Sequence, residues 1–106
     1  MEFRGKPLRE IPKEKAFYFF TSIGNYTGEK AHSLHEFLEK VKEIDIKSLE
    51  FHLYRGDFEK WIREVLGIRE LAEKMDEIQK LNLRGETLRT LIYETVSRFT
   101  KERGQT

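Results

Sequence analysis

The sequence predicts a mainly α protein, with about five helices in an orthogonal array and one short N-terminal β-strand or hairpin. Two observations lead to this fold class. Between residues 33 and 103, apolar residues recur at helical spacing and are interrupted by glycine and capping residues. Ahead of them, residues 16–23 are dense in aromatic and β-branched side chains, which is typical of a strand. With 106 residues and no internal repeat, the chain is expected to form a single domain over residues 1–106.

The N-terminal part is predicted to contain this strand and the segment that pairs with it. Residues 1–15 hold both prolines and many charges, which indicates an extended arm or an edge strand. Residues 16–23 are apolar on both faces of the predicted strand, so we expect it to be largely buried. A turn cluster from Gly24 to Gly28 ends it. Residues 2–11 are then its only partner within the chain, and the alternative is pairing with another chain.

The first helix is predicted to start at a capping box formed by Ser33 and Glu36. The Ser33 hydroxyl can accept from the backbone N–H of Glu36, and the Glu36 carboxylate can reach back to the N–H of Ser33. An apolar stripe carries this helix to about Ile44. Asp45 is the expected N-cap of a second helix, which runs to about Arg55. Because the second helix is apolar on two faces, we expect it to be central.

Three further helices are predicted after a break at Gly56. Asp57 is the expected cap of the third helix, which ends at Gly67. The fourth helix runs to about Lys80, and a turn at residues 82–86 precedes the fifth. The third helix has the clearest amphipathic spacing, with apolar residues at Phe58, Trp61, Ile62, Val65 and Leu66.

Composition and charge exclude several classes of protein. Twenty Lys and Arg residues against nineteen Asp and Glu residues give a net charge of +1, which excludes a polycationic nucleic-acid arm. The absence of cysteine excludes disulfides, thiolate metal sites and a Cys nucleophile. No apolar run is long enough for a membrane span or a signal peptide, so we expect a cytoplasmic protein without membrane contact.

The abundance of charge has two interpretations. Charged residues make up 37% of the chain, and Glu, Lys and Arg dominate them, while Asn, Gln and Met are scarce. This pattern is typical of hyperthermophile proteins, which favour ion-pair networks. The alternative is a strongly helical protein with solvated helix faces, since the same residues are good helix formers.

One cluster of residues near the end of the second helix is a candidate ligand-binding or metal site, with catalysis as a further option. His52 and Asp57 could form an oriented acid–base pair, with Arg55 and Trp61 beside them. The alternative is structural: Asp57 caps the third helix, Arg55 pairs with a surface carboxylate, and His52 is satisfied at the edge of the core.

No other chemical motif is complete. His32 and His35 have the spacing of a metal pair, but the capping box places His32 outside the helix. No nucleophile elbow or phosphate loop is present, so we expect no catalytic residue, cofactor or bound metal. A helix-turn-helix at Gly67 is disfavoured because acidic side chains offset the basic ones over residues 69–80. We therefore expect no nucleic-acid partner.

The aromatic strand is the candidate partner-binding element. Unless it pairs within the chain, its backbone groups need a strand from a second copy or from another protein. An intrachain hairpin is the alternative. The candidate partner-binding residues are Phe17, Tyr18, Phe19 and Phe20.

A composite motif in the helical part resembles a known family. It consists of SLEFH (48–52), DFEKWI (57–62), VLG (65–67) and LA (71–72). In this motif the chain resembles an uncharacterised, mostly archaeal family of small helical domains without an assigned function, over about residues 17–99. The resemblance implies an archaeal, cytoplasmic origin and names no substrate.

Two functions follow from these patterns. The first is a non-catalytic interaction or accessory domain, a homodimer or a partner of another protein, which uses the aromatic strand or a helix groove. The second is a small-molecule or metal site around His52 and Asp57, with or without enzymatic activity.

Overall fold

The computed structural model describes residues 11–103. A short 3-10 turn and a hairpin precede five helices, the third of which continues into a π-helical turn. In chain order the elements are the 3-10 turn Lys13–Lys15, β1 Phe17–Ser22, β2 Asn25–Ala31, α1 Leu34–Glu43, α2 Ile46–Arg55, α3 Asp57–Trp61, the π turn Ile62–Leu66, α4 Arg69–Gln79 and α5 Gly85–Arg103. The mainly α class with an N-terminal hairpin is confirmed, and the orthogonal arrangement of the helices stays a prediction.

The partner of the aromatic strand is β2, in an antiparallel hairpin. The expectation that residues 2–11 were its only partner within the chain is therefore wrong, and residues 2–10 lie outside the described residues. The predicted turn from Gly24 to Gly28 is mostly strand, because Gly24, with φ of 79°, closes the reversal almost alone. β2 has an exposed, polar sequence without an apolar alternation, so its strand character is not visible in the pattern.

A bulge in β2 lies opposite Phe19. Tyr18 pairs with Lys30 and Phe20 pairs with Tyr26, so three residues of β2 lie opposite one residue of β1. The Thr27 hydroxyl donates to the Phe19 carbonyl oxygen at 2.8 Å and accepts from a β2 backbone N–H. This side chain supplies the hydrogen bond that the interrupted ladder lacks.

The predicted starts of α1 and α2 are confirmed at the level of individual hydrogen bonds. The Ser33 hydroxyl accepts from the Glu36 N–H at 3.0 Å, and the Asp45 carboxylate accepts from the N–H of Lys47 at 2.9 Å. The Glu36 carboxylate reaches back one residue further than expected, to the N–H of His32 at 2.7 Å. Both helices therefore begin where the capping residues predicted.

The centre of the core is aromatic. The Phe17 ring centroid lies 4.9 Å from that of Phe19 and 5.1 Å from that of Phe58, and Phe37 lies 5.1 Å from Phe58. Trp61 completes the group, 5.5 Å from Phe37. The tilted and edge-to-face contacts add roughly 0.5–1.5 kcal/mol each beyond the burial of area. The hairpin is thereby packed onto the helices rather than lying on their surface.

The two-faced helix α2 is central, as its pattern predicted, and contacts β1, α3, α4 and α5. Two side-chain hydrogen bonds tie α5 to α2 and to α1. The Glu50 carboxylate accepts from the N–H of Gly85, the first residue of α5, at 2.8 Å. The Arg89 guanidinium donates to the carbonyl oxygen of Val41 at the end of α1, also at 2.8 Å.

Over residues 11–103, none of the helices combines the length and the apolar content that crossing a bilayer requires.

Two buried serines provide a matched test of these contacts. Ser33 caps α1, whereas the Ser48 hydroxyl has no hydrogen-bond partner within the described part of the chain. We expect Ser33→Ala to lower the free energy of unfolding by about 1 kcal/mol, because the N-cap bond is lost. Ser48→Ala is expected to cause no loss, since it removes an unpaired buried hydroxyl and adds a better helix former. Urea unfolding of both variants measures this, and an equal loss in the two would contradict it.

Candidate ligand-binding groove

A groove of about 490 Å³ opens where β1, the hairpin turn, α2 and α3 meet. Most of its surface is apolar, and four charged side chains lie around it. All four residues predicted as a ligand site contribute to it. The residues that line it are Phe17, Tyr18, Phe20, Ile23, Gly24, Phe51, His52, Arg55, Asp57, Lys60, Trp61, Glu64 and Val65.

His52 lies between the strand and the start of α3, with only 4% of its surface exposed. Its Nε2 lies 2.8 Å from the backbone nitrogen of Phe20, and its Nδ1 lies 2.7 Å from Oδ2 of Asp57. A backbone N–H can only donate, so Nε2 must carry the lone pair. The ring is therefore the neutral Nδ1–H tautomer, which donates to the Asp57 carboxylate.

Asp57 does not cap α3, so that expectation is wrong. The residue that precedes the helix is Gly56, with φ of 81°, and no side chain caps the first turn. Asp57 is the first helical residue, and its Oδ2 also lies 3.2 Å from Nε of Arg55. The carboxylate is held by the imidazole and the guanidinium because both donors come from the last turn of α2.

The protonation of His52 follows from the same contacts. Burial lowers the pKa of the His52 imidazole below its ordinary value, and the hydrogen bond and charge of Asp57 oppose this shift. The positive charge of Arg55 lowers the pKa further. A second proton on the ring would lie on Nε2 and face the N–H of Phe20, so that this backbone donor would lose its acceptor. Burial and the hydrogen-bond pattern therefore both favour the neutral ring.

The aromatic walls of the groove are held by the 3-10 turn. The indole N–H of Trp61 donates to the carbonyl oxygen of Lys15 at 2.8 Å, and the Tyr18 hydroxyl donates to that of Lys13 at the same distance. Phe17 lies beneath, with its ring centroid 4.7 Å from that of His52. Because the polar atoms of Trp61 and Tyr18 already have partners, these side chains offer mainly carbon to the groove.

The rim combines one exposed apolar side chain with charges of both signs. Ile23 was predicted within the strand, but β1 ends at Ser22, and Ile23 lies in the turn with 84% of its surface exposed. The Arg55 guanidinium carbon lies 4.9 Å from the centroid of the Phe51 ring. Lys60 and Glu64 are both exposed on the α3 side, and neither forms an ion pair with any residue that the structure describes.

The four candidate partner-binding residues divide into two pairs. Phe17 and Phe19 are buried in the aromatic core, with 6% and 0% of their surface exposed. Tyr18 and Phe20 are half-buried and line the groove. A partner could therefore reach the second pair without unfolding the core, and binding through these residues stays a prediction.

The groove also contains residues that the sequence reasoning missed. Lys60 and Glu64 share the helical spacing of Asp57 and Trp61, so this face of the predicted third helix, which the structure divides into α3 and the π turn, could have been found from the sequence. The place of Ile23 in the groove could not have been found in this way, because its exposure depends on where the hairpin turns.

No group of three or more His, Cys, Asp or Glu side chains within residues 11–103 is arranged to hold a metal ion.

Comparison with known proteins identifies a family. A model described as a family of unknown function (DUF5752) matches residues 12–105. No curated protein and no solved structure matches the chain significantly. The resemblance to an uncharacterised family of helical domains is confirmed, and its archaeal origin stays a prediction.

The tautomer of His52 can be observed directly. In long-range ¹H–¹⁵N spectra at about pH 8, we expect His52 to carry its proton on Nδ1, because Nε2 accepts from the Phe20 N–H. His52→Gln identifies the signals by their disappearance. A proton found on Nε2 would contradict the hydrogen-bond scheme of the groove.

The lowered pKa of His52 predicts a pH dependence of stability. An unfolded histidine titrates near 6.5, so between the folded value and about 6.5 the unfolded chain binds more protons. The contribution of His52 is therefore complete above about pH 6.5 and decreases as the pH falls towards the folded pKa.

Urea unfolding at about pH 7.5 and about pH 5 tests this dependence. The loss of unfolding free energy towards low pH is expected to be smaller in His52→Gln than in the wild type. The matched control is His35→Gln, which changes an exposed histidine of α1. If His35→Gln reduces the dependence as much as His52→Gln does, the assignment to His52 is wrong.

Proposed function

This chain belongs to the DUF5752 family, and since that family has no established function, we propose one from the groove itself: a non-catalytic interaction domain. The groove binds an apolar group of a partner between the hairpin turn and the face of α3. Phe20, Phe51 and Trp61 are among the aromatic residues that line it, and Lys60 and Glu64 orient the partner at the rim. The archaeal source and cytoplasmic location expected from composition and resemblance are part of this proposal.

One observation carries the proposal. The groove contains an imidazole beside a carboxylate, yet both ring nitrogens of His52 have protein partners. A general base needs a free nitrogen within hydrogen-bond reach of its substrate, and a metal ligand needs a free lone pair. With those atoms engaged, the groove offers aromatic and aliphatic surface, which favours binding through burial of apolar area.

The second candidate function is a small-molecule or metal site at His52 and Asp57, with or without catalysis. The distance of 2.7 Å between Nδ1 and Oδ2 supports it, because this is how an orienting carboxylate holds a catalytic histidine. This function requires the Phe20 N–H to leave Nε2. A titration with Zn²⁺ discriminates the two, since only the second predicts saturable shifts of the His52 ring resonances.

An apolar probe tests the groove. The dye 8-anilinonaphthalene-1-sulfonate has apolar rings that suit the aromatic surface of the groove, and Trp61 is the single tryptophan from which energy transfer can be measured. We expect Phe51→Gln to weaken binding about tenfold, the effect of losing about 1.4 kcal/mol of apolar contact. Phe51 lines the groove without belonging to the hydrophobic core.

Leu81→Gln is the matched control, because Leu81 is also exposed, at 57%, but lies outside the groove. Binding in Leu81→Gln is expected to equal that of the wild type. If the dye fails to bind the wild type even at low protein concentration, or if both variants weaken it equally, the groove is not a recognition site for apolar groups.

A further inference from the structure

We propose that the partner bound in the groove is a second copy of this chain, so that two grooves meet across a two-fold axis and each receives the Ile23 side chain of the other. The inference rests on the proposed function of the groove and adds the identity of its occupant. It is carried by two features of the rim: its shape and its charge.

The shape of the patch is self-complementary. Ile23 projects from the hairpin turn with 84% of its surface exposed, and it stands beside the concave surface formed by Phe20, Phe51 and Trp61. In a two-fold contact the same patch occurs on both sides, so a patch needs both a projection and a recess to fill itself. This patch has both, and the paired arrangement covers the most exposed large apolar residue in the described part of the chain.

The charges of the rim are self-complementary as well. Arg55 and Asp57 neutralise each other within the chain, whereas Lys60 and Glu64 have no ion-pair partner among residues 11–103. Lys60 lies in α3 and Glu64 in the π turn that continues it. When these two segments of one copy lie antiparallel to those of the other across a two-fold axis, residue 60 of one copy faces residue 64 of the other. Each contact then pairs a lysine with a glutamate, and the symmetry produces that pair twice.

The same charges disfavour other occupants. An acidic segment would be attracted by Lys60 but repelled by Glu64. A basic segment would be attracted by Glu64 but repelled by Lys60. An anionic membrane surface would be repelled by Glu64 for the same reason. Two copies match both charges at once, and the net charge of +1 produces little repulsion between them.

The test is the concentration dependence of the molar mass in light scattering after size exclusion, repeated by sedimentation velocity. We expect a monomer–dimer equilibrium in the wild type. Ile23→Asp abolishes the dimer, since it places a charge in the apolar recess. The control is Leu81→Asp, which changes an exposed leucine outside the groove and leaves the equilibrium unchanged. Circular dichroism and urea unfolding confirm that both variants are folded.

Charge reversal tests the orientation of the two copies. Lys60→Glu alone and Glu64→Lys alone each raise the dimer dissociation constant about tenfold or more, because two like-charge contacts replace two attractive ones. An equimolar mixture of the two variants restores the wild-type mass, since in the mixed dimer both contacts again join a lysine to a glutamate. If the two substitutions weakened the dimer only by disturbing the shape of the surface, mixing the two variants would not restore it.

The outcomes separate this inference from the proposed function. A wild type that is monomeric at all concentrations, a dimer that tolerates Ile23→Asp, or a mixture that fails to recover overturns the second copy as occupant. If the dye then still depends on Phe51, the groove remains a binding site for a different partner. If the dye does not depend on Phe51, the proposed function itself has failed. Binding of anionic vesicles through Ile23 would assign the patch to a membrane and also overturn the inference.

Discussion

The two hydrogen bonds of His52 join the last turn of α2 to two other elements: to β1 through the Phe20 N–H, 32 residues away, and to the start of α3 through the carboxylate of Asp57. In most sheets an outward N–H of this kind is satisfied by another strand. Here a side chain satisfies it, so a two-stranded hairpin can be buried against helices. Because the ring also fixes Asp57, the direction of α3 relative to β1 depends on the same residue.

This arrangement explains why the groove is apolar. The bonds that build it use its polar atoms: the imidazole nitrogens, the indole N–H of Trp61 and the hydroxyl of Tyr18 all have partners within the protein. What they leave uncovered is the carbon surface between strand and helix, together with the charges of Lys60 in α3 and Glu64 in the π turn. The same packing arrangement thus gives the polar atoms their hydrogen-bond partners and leaves the apolar surface exposed. Together these two results favour ligand binding over catalysis.

Much of the helical part could be read from the sequence, since caps such as Ser33 and Asp45 act on backbone groups a few residues away. The four residues of the candidate site could also be grouped, because they follow one another along α2 and α3. The second strand could not be predicted in this way, because the bulge at Thr27 and Gly28 interrupts the alternation of apolar and polar residues that identifies a strand. The role of His52 depends on Phe20, 32 residues away, and no local pattern contains that contact.

The segment before the hairpin has a mechanical consequence. The Ile11 N–H donates to the carbonyl oxygen of His32, and the carbonyl oxygens of Lys13 and Lys15 hold Tyr18 and Trp61. Tension applied to the chain ahead of Ile11 loads the first of these bonds and then the other two in turn. The backbone of residues 11–15 therefore connects the walls of the groove mechanically to the chain ahead of it.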